Sequence, residues 1–118
     1  MGSVRFKLGI QSSNTVSDKL DFSVEKVLAV IKPYGSLGRT EVDHTAATTF
    51  ISTGNPDAMC YVKNLDTTNF INVTNNADEI VSKVPPGMFV LLGVPATAGV
   101  KMQADTATVE VEFGYWSL

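Results

Sequence analysis

Polar and apolar residues alternate along much of the chain, starting with Val4, Phe6, Leu8 and Ile10 against Arg5, Lys7 and Gly9. A period of two sends the two sets to opposite faces of an extended chain, so Val4–Ile10 is predicted to be a half-buried strand. Gln11–Asp18 is rich in Ser, Asn and Thr and reads as a loop. Leu20–Ile31 opens with the same alternation and runs into Val27-Leu28-Ala29-Val30-Ile31. Val24, Val27, Leu28 and Ile31 also fit a helical spacing. The β-branched content and the opening alternation favour a strand, with a bulge near Glu25–Lys26. Pro33, Gly35 and Gly38 then predict a turn that ends it.

Short strands are expected over Thr40–Asp43 and Ala46–Ser52, before the turn signal Gly54-Asn55-Pro56-Asp57. Met59–Leu65 is the clearest strand, with Cys60, Val62 and Asn64 opposite Met59, Tyr61 and Lys63. Asp66-Thr67-Thr68 reads as a tight turn into Phe70–Val73, which predicts a hairpin. Thr74–Asp78 is polar, Ile80–Val84 is weakly extended, and Pro85-Pro86-Gly87 turns the chain before Met88–Leu92. Val94–Gly99 reads as a loop, Val100–Ala104 as a short strand and Asp105–Thr106 as a turn. The final segment sets Val109, Val111, Phe113 and Tyr115 against Glu110, Glu112 and Gly114, and ends in Trp116.

About eight short strands at this spacing, with no amphipathic helix among them, predict an all-β fold. The expected architecture is one antiparallel β-sandwich domain over residues 1–118, jelly-roll or immunoglobulin-like. Composition agrees: 118 residues suit one domain, and 44% hydrophobic with 18% charged residues fills a core with apolar surface left for an interface.

Charge and chemistry narrow the function by exclusion. The net charge is −3, and Arg5 with Lys7, and Lys26 with Lys32, are interleaved with apolar residues and acids. No basic stripe results, so nucleic-acid binding is not expected. No apolar run is long enough for a membrane span, and Met1-Gly2-Ser3 leads into no apolar secretion segment. Gly2 does not make a myristoylation motif, because Phe6 stands where Ser or Thr is required. Cys60 is the single cysteine, which excludes an intrachain disulfide and fits a reducing compartment.

A nucleophilic site needs a base beside its nucleophile. The one histidine is His44; Asp43 beside it is expected to point to the opposite face of a strand, and Cys60 reads as a small buried hydrophobe. One His and one Cys are too few for zinc, and Asp57, Asp66, Asp78, Glu79 and Asp105 are scattered over turns rather than grouped for calcium. Glu110 and Glu112 read as the wet face of an outer strand, not as a glycosidase pair. Gly35-Ser36-Leu37-Gly38 and Pro86-Gly87 fit no phosphate loop, and Asn72-Val73-Thr74 matches the glycosylation sequon by chance. No catalytic, cofactor-binding or metal-ligating residue is nominated, no cofactor is expected, and the chain does not read as an enzyme.

Met59-Cys60-Tyr61-Val62-Lys63-Asn64-Leu65-Asp66, followed by Phe70-Ile71-Asn72-Val73, resembles a hairpin of small structural proteins from tailed bacteriophages. The Pro86-Gly87 turn before Met88-Phe89-Val90-Leu91-Leu92, and Ala104-Asp105-Thr106-Ala107 before the closing strand, carry the resemblance on to Tyr115. It implies a virion component made in the host bacterial cytoplasm: a capsid decoration (cement) protein that bridges major capsid subunits and stabilises the head. It also implies a homo-oligomer, with a trimer favoured because such proteins sit on symmetry axes. The matching positions are structural, so no functional residue is carried over. A tail, neck or baseplate component is the nearest alternative. A carbohydrate-binding host-adsorption module is another, for which Tyr34, Tyr61, Tyr115 and Trp116 are the available aromatics.

Overall fold

The computed structural model describes residues 2–11, 21–30 and 32–118, with side chains for 3–11, 23–30 and 38–118. The loop expected over Gln11–Asp18 falls almost wholly outside them, as does the side chain of Tyr34. The described residues form ten strands and no helix: β1 (Gly2–Gln11), β2 (Asp21–Val30), β3 (Lys32–Val42), β4 (Thr48–Ile51) and β5 (Ala58–Asn64), then β6 (Ile71–Thr74), β7 (Ile80–Val84), β8 (Phe89–Val94), β9 (Val100–Ala104) and β10 (Val109–Ser117). The all-β expectation is met, with ten strands in place of about eight.

Eight of the strands build the body, in two four-stranded antiparallel sheets ordered β3-β10-β5-β8 and β4-β9-β6-β7. We call these the first and second sheet. The other two strands, β1 and β2, pair only with each other as a ribbon.

Period-two patterning decides what each sheet buries. Along β5, Ala58, Cys60, Val62 and Asn64 are buried and Met59, Tyr61 and Lys63 are half-buried on the other face. In β10, Val109 and Val111 are fully buried, while Glu110 and Glu112 point away from them. The second sheet contributes Ile71, Val73, Val84, Val100, Met102 and Ala104. Valines dominate this core because a β-branched side chain packs well on a pleated surface and loses little rotamer freedom there.

Three sequence expectations are corrected. Met59–Leu65 and Phe70–Val73 do not form a hairpin: β5 pairs with β10 and β8, whereas β6 pairs with β7 and β9 in the opposite sheet. The connection is an arch between sheets, held by a carboxylate. Asp66 Oδ2 accepts the N–H groups of Thr68 (3.0 Å) and Asn69 (2.6 Å), turning the chain out of the first sheet. The Pro33–Gly38 signals do not end a strand, since β3 runs through them. Pairing steps from Gly38 to Tyr34 on β3 but only from Phe113 to Tyr115 on β10, so the extra residues form a bulge. Pro33 is tolerated because β3 is an edge strand. No bulge interrupts Glu25–Lys26, whose partners Lys7 and Phe6 keep an unbroken register.

One polar side chain lies at the junction of both sheets. Asn64 is fully buried at the end of β5. Its Nδ2 donates to the carbonyl of Asn69 (2.8 Å), ahead of β6, and to that of Val84 (3.1 Å), at the end of β7. Its Oδ1 accepts the Asp66 N–H at 2.9 Å. Its backbone N–H bonds the Met88 carbonyl, and its own carbonyl accepts the Gly87 N–H. Gly87 has φ 75°, as the third residue of a Pro85-Pro86-Gly87-Met88 turn closed by Met88 N–H to Pro85 O at 3.1 Å. That position needs the left-handed region, which glycine supplies without strain.

Asn64→Ala strips the buried carbonyls of Asn69 and Val84 and the Asp66 N–H of their partners. It should cost about 3 kcal/mol, seen as a lower denaturant midpoint with an unchanged slope. Lys63→Ala, on the other face, should move the midpoint by less than about 0.5 kcal/mol.

Candidate interaction surface

The β1–β2 ribbon has two unlike faces. Residues paired directly across an antiparallel ribbon share a face, so Val4, Phe6, Leu8 and Ile10 lie with Leu28, Lys26 and Val24. The reverse face carries Arg5, Lys7 and Glu25, joined by ion pairs of 2.9 and 3.9 Å, with Val27 beside them. Burial of the apolar face fades from one end to the other. Val30 is fully buried at the base, Val4, Phe6 and Leu28 are half-buried, and Leu8, Ile10 and Val24 are 41%, 45% and 51% exposed. The ribbon is therefore an arm: its base is docked and its tip is uncovered. A Cα radius of gyration of 15.5 Å fits that shape, since a compact chain of this length would have about 13.5 Å.

The base docks on the outer face of the first sheet. Register places Trp116, Met59 and Gly93 in one row of that face, and Gly114, Tyr61 and Leu91 in the next. The Phe6 ring meets Trp116 edge-on, with centroids 5.5 Å apart. Between the arm and the sheet runs an apolar groove of about 300 Å³, walled by Val4 to Leu8 on one side and by Tyr61, Phe89, Leu91 and Trp116 on the other. The Tyr61 hydroxyl donates to Glu112 Oε1 at 3.3 Å; partial burial, and then that carboxylate's charge, raise its pKa. Tyr115 faces inward instead and packs on Phe113, whose ring also meets Phe50 at 5.1 Å.

A second uncovered apolar strip follows the edge made by β7 and β8. Ile80, Val81, Met88, Phe89 and Leu91 are between 37% and 66% exposed there. The centre of the second sheet's outer face is polar by contrast, with Thr49, Asn72, Thr74, Lys101 and Gln103, and Lys101 reaches Asp78 at 2.5 Å. Asn72 of the sequon sits in the middle of β6, between Lys83 and Gln103.

The residues weighed for chemistry do not converge. His44 is exposed on the bend after β3, and Cys60 is sealed in the core, so they share no solvent-facing site. Asp43 is outside the strand, and its carboxylate lies 3.6 Å from the His44 ring rather than on an opposite face. That carboxylate is engaged by Thr45, whose N–H and hydroxyl donate to it at 3.1 and 2.8 Å. Glu110 stands opposite Glu41 on the outer face of the first sheet, with Glu112 next along β10. Among the described residues, no group of three His, Cys, Asp or Glu side chains is placed to hold a metal, and no helix is long and apolar enough to cross a membrane. Comparison with known protein families, curated proteins and solved structures finds no match to the chain.

Sequence reasoning placed the alternating faces but missed the arm. An alternating segment says that one face is apolar, not which surface covers it. The signal that was available is the match of two consecutive alternating segments, Val4–Ile10 and Leu20–Val24, which can pair with each other alone.

Two expectations follow. Burial pushes the Cys60 thiol up to about 12, so the folded protein should resist a thiol reagent at mildly alkaline pH. Unfolding it in denaturant should release one reactive thiol per chain. Asp43 and Asp66 are held below the usual carboxylate range, first by the N–H groups of Thr45 and Asn69 respectively. The folded state therefore favours their ionised forms. That stabilisation is complete above the unfolded value of about 3.9 and is lost as pH falls through the folded value. Asp43→Asn/Asp66→Asn should accordingly lose less stability than wild type between about pH 6 and about pH 3, read from denaturant midpoints.

Proposed function

We propose that this chain is a non-catalytic structural protein of a bacteriophage particle, a capsid decoration protein that binds the head and bridges major capsid subunits. One observation carries the reading: the large apolar side chains left exposed among the described residues lie on the arm and on the β7–β8 edge. Contiguous apolar surface of this kind marks sites of protein contact. Unpaired strand edges beside it offer backbone groups to a partner.

The strand order supports the same reading. Orders β3-β10-β5-β8 and β4-β9-β6-β7 send the chain back and forth between the sheets, and we read them as a jelly roll. That architecture is used in viral capsid and lectin domains. It leaves a lectin as the rival, and the groove beside Trp116 and Tyr61 is the feature that favours it. Sugar sites combine aromatic platforms with several convergent polar groups. Here the Tyr61 hydroxyl is already bonded to Glu112, and the groove wall is mostly aliphatic and aromatic. Protein contact is the better use of this surface.

Purified protein mixed with undecorated heads should co-sediment with them saturably, at a fixed number of copies per head. Protein that stays in the supernatant, or that binds only isolated tails, overturns the assignment. Ile80→Asp/Val81→Asp should weaken uptake by at least about tenfold. Thr49→Asp, on the polar outer face, should leave uptake unchanged. Saturable binding on a glycan array, lost in Trp116→Ala, would make the chain a lectin instead.

A further inference from the structure

We infer that the uncovered tip of the β1–β2 arm seats in the Phe89–Leu91 groove of a second copy of this chain. The same-face row Val4, Phe6, Leu8, Ile10 is apolar throughout, yet the chain's own body covers only its first half. Leu8, Ile10 and Val24 continue the pattern that the base uses to dock on the first sheet. The groove beside that docked base is open, and Phe89 in its wall is 57% exposed. Tip and groove are thus two apolar surfaces of one chain. The first is an extension of a ribbon that already recognises the second kind of surface through Phe6 and Trp116.

Charge selects a second copy as the occupant. Residues 1–30, which include the arm, hold four cations and three acids, a net of +1, whereas residues 31–118 hold five cations and nine acids, a net of −4. An arm from one copy therefore meets a body of opposite sign in the next. Glu110 and Glu41 face each other across β10 and β3 on the same outer face, and neither has an ion-pair partner among the described residues. Like charges directly opposite in a sheet are unfavourable, and Lys26, which shares the docking face of an incoming arm with Leu8 and Val24, relieves them. A tip-to-groove contact joins unlike surfaces, so it is heterologous and closes into a ring when the rotation permits. The inference does not rest on the particle assignment, because it concerns the protein alone in solution.

Light scattering on the purified protein, with no heads present, tests it. Wild type should have a mass that is a multiple of the single chain, and added salt should weaken the association. Ile10→Asp/Val24→Asp removes the tip without touching the groove wall, and Phe89→Asp/Leu91→Asp removes the groove. Each variant alone should be a monomer with wild-type circular dichroism, its self-association weakened at least about tenfold. Mixed together they should form a one-to-one heterodimer, because one intact tip and one intact groove remain. A monomeric wild type, variants that associate like wild type, or a mixture that stays monomeric each overturns the inference. A monomeric wild type whose tip variant loses head binding would give the tip to the capsid instead. If either aspartate pair fails to fold, Ile10→Thr/Val24→Thr or Phe89→Thr/Leu91→Thr takes its place and should shift the dissociation constant in the same direction.

Discussion

The Asn64 side chain sits where no water can reach it and has a donor and an acceptor to satisfy. An unpaired buried amide costs a few kcal/mol, so the surrounding chain is arranged to meet it. The Asn69 and Val84 carbonyls and the Asp66 N–H converge on one group at the end of β5. Two of the crossings between the sheets are fixed there at once: the Asp66 arch from β5 to β6, and the Pro-Pro-Gly turn from β7 to β8. Valine packing alone would hold two sheets together at many offsets, because methyl groups have no directional preference. The amide selects one offset, and the shared core of Cys60, Val62, Ile71 and Val73 is built on it.

Much of this was legible in the residues, and the misses have a common cause. The faces of β5 and β10 follow from alternation alone, because a half-buried strand advertises its two sides. Alternation carries no information about which sheet a strand joins. Asp66-Thr67-Thr68 therefore looks like a hairpin turn, although the carboxylate at its head sends the chain to the opposite sheet. Pro33 and the glycines after it mislead in a related way. They signal departure from regular pairing, and an edge strand can absorb that as a bulge. The inward direction of Asn64 was readable from its register with Cys60 and Val62. Its partners were not, since they come from residues up to 20 positions away. Of the candidate surface, Tyr61 and Trp116 were visible as aromatics, but the groove needs an arm folded over them, and only pairing of β1 with β2 supplies it.

The two halves of the molecule also differ in how their stability is built. The body buries its apolar residues within the chain and satisfies its polar ones. The arm has two strands, an ion-paired reverse face and one apolar face that is only half covered. Two-stranded ribbons are marginal without a surface to lie on. Phe6 on Trp116 and the buried Val30 give the base such a surface, and beyond them the tip depends on whatever it meets. Burial along the arm is therefore graded, and contact at the tip would extend the surface that the base already buries.

The place of β10 in the first sheet has a consequence for synthesis. β10 lies between β3 and β5, so β3 has no partner in that sheet until residues 109–117 have left the ribosome. Nor can β4 and β6 join before β9 is made between them. Local pairing is available early only to β1 with β2 and to β6 with β7. The nascent chain thus carries β3 without a sheet partner, and β5 with only β8 beside it, until β10 is made. Such non-local pairing folds slowly and leaves sheet edges open to aggregation meanwhile. A message cut short before Val109 would complete the second sheet but leave β3 unpaired and the first sheet reduced to β5 and β8. Its product would be a substrate for chaperones and proteases rather than a smaller working version of the protein.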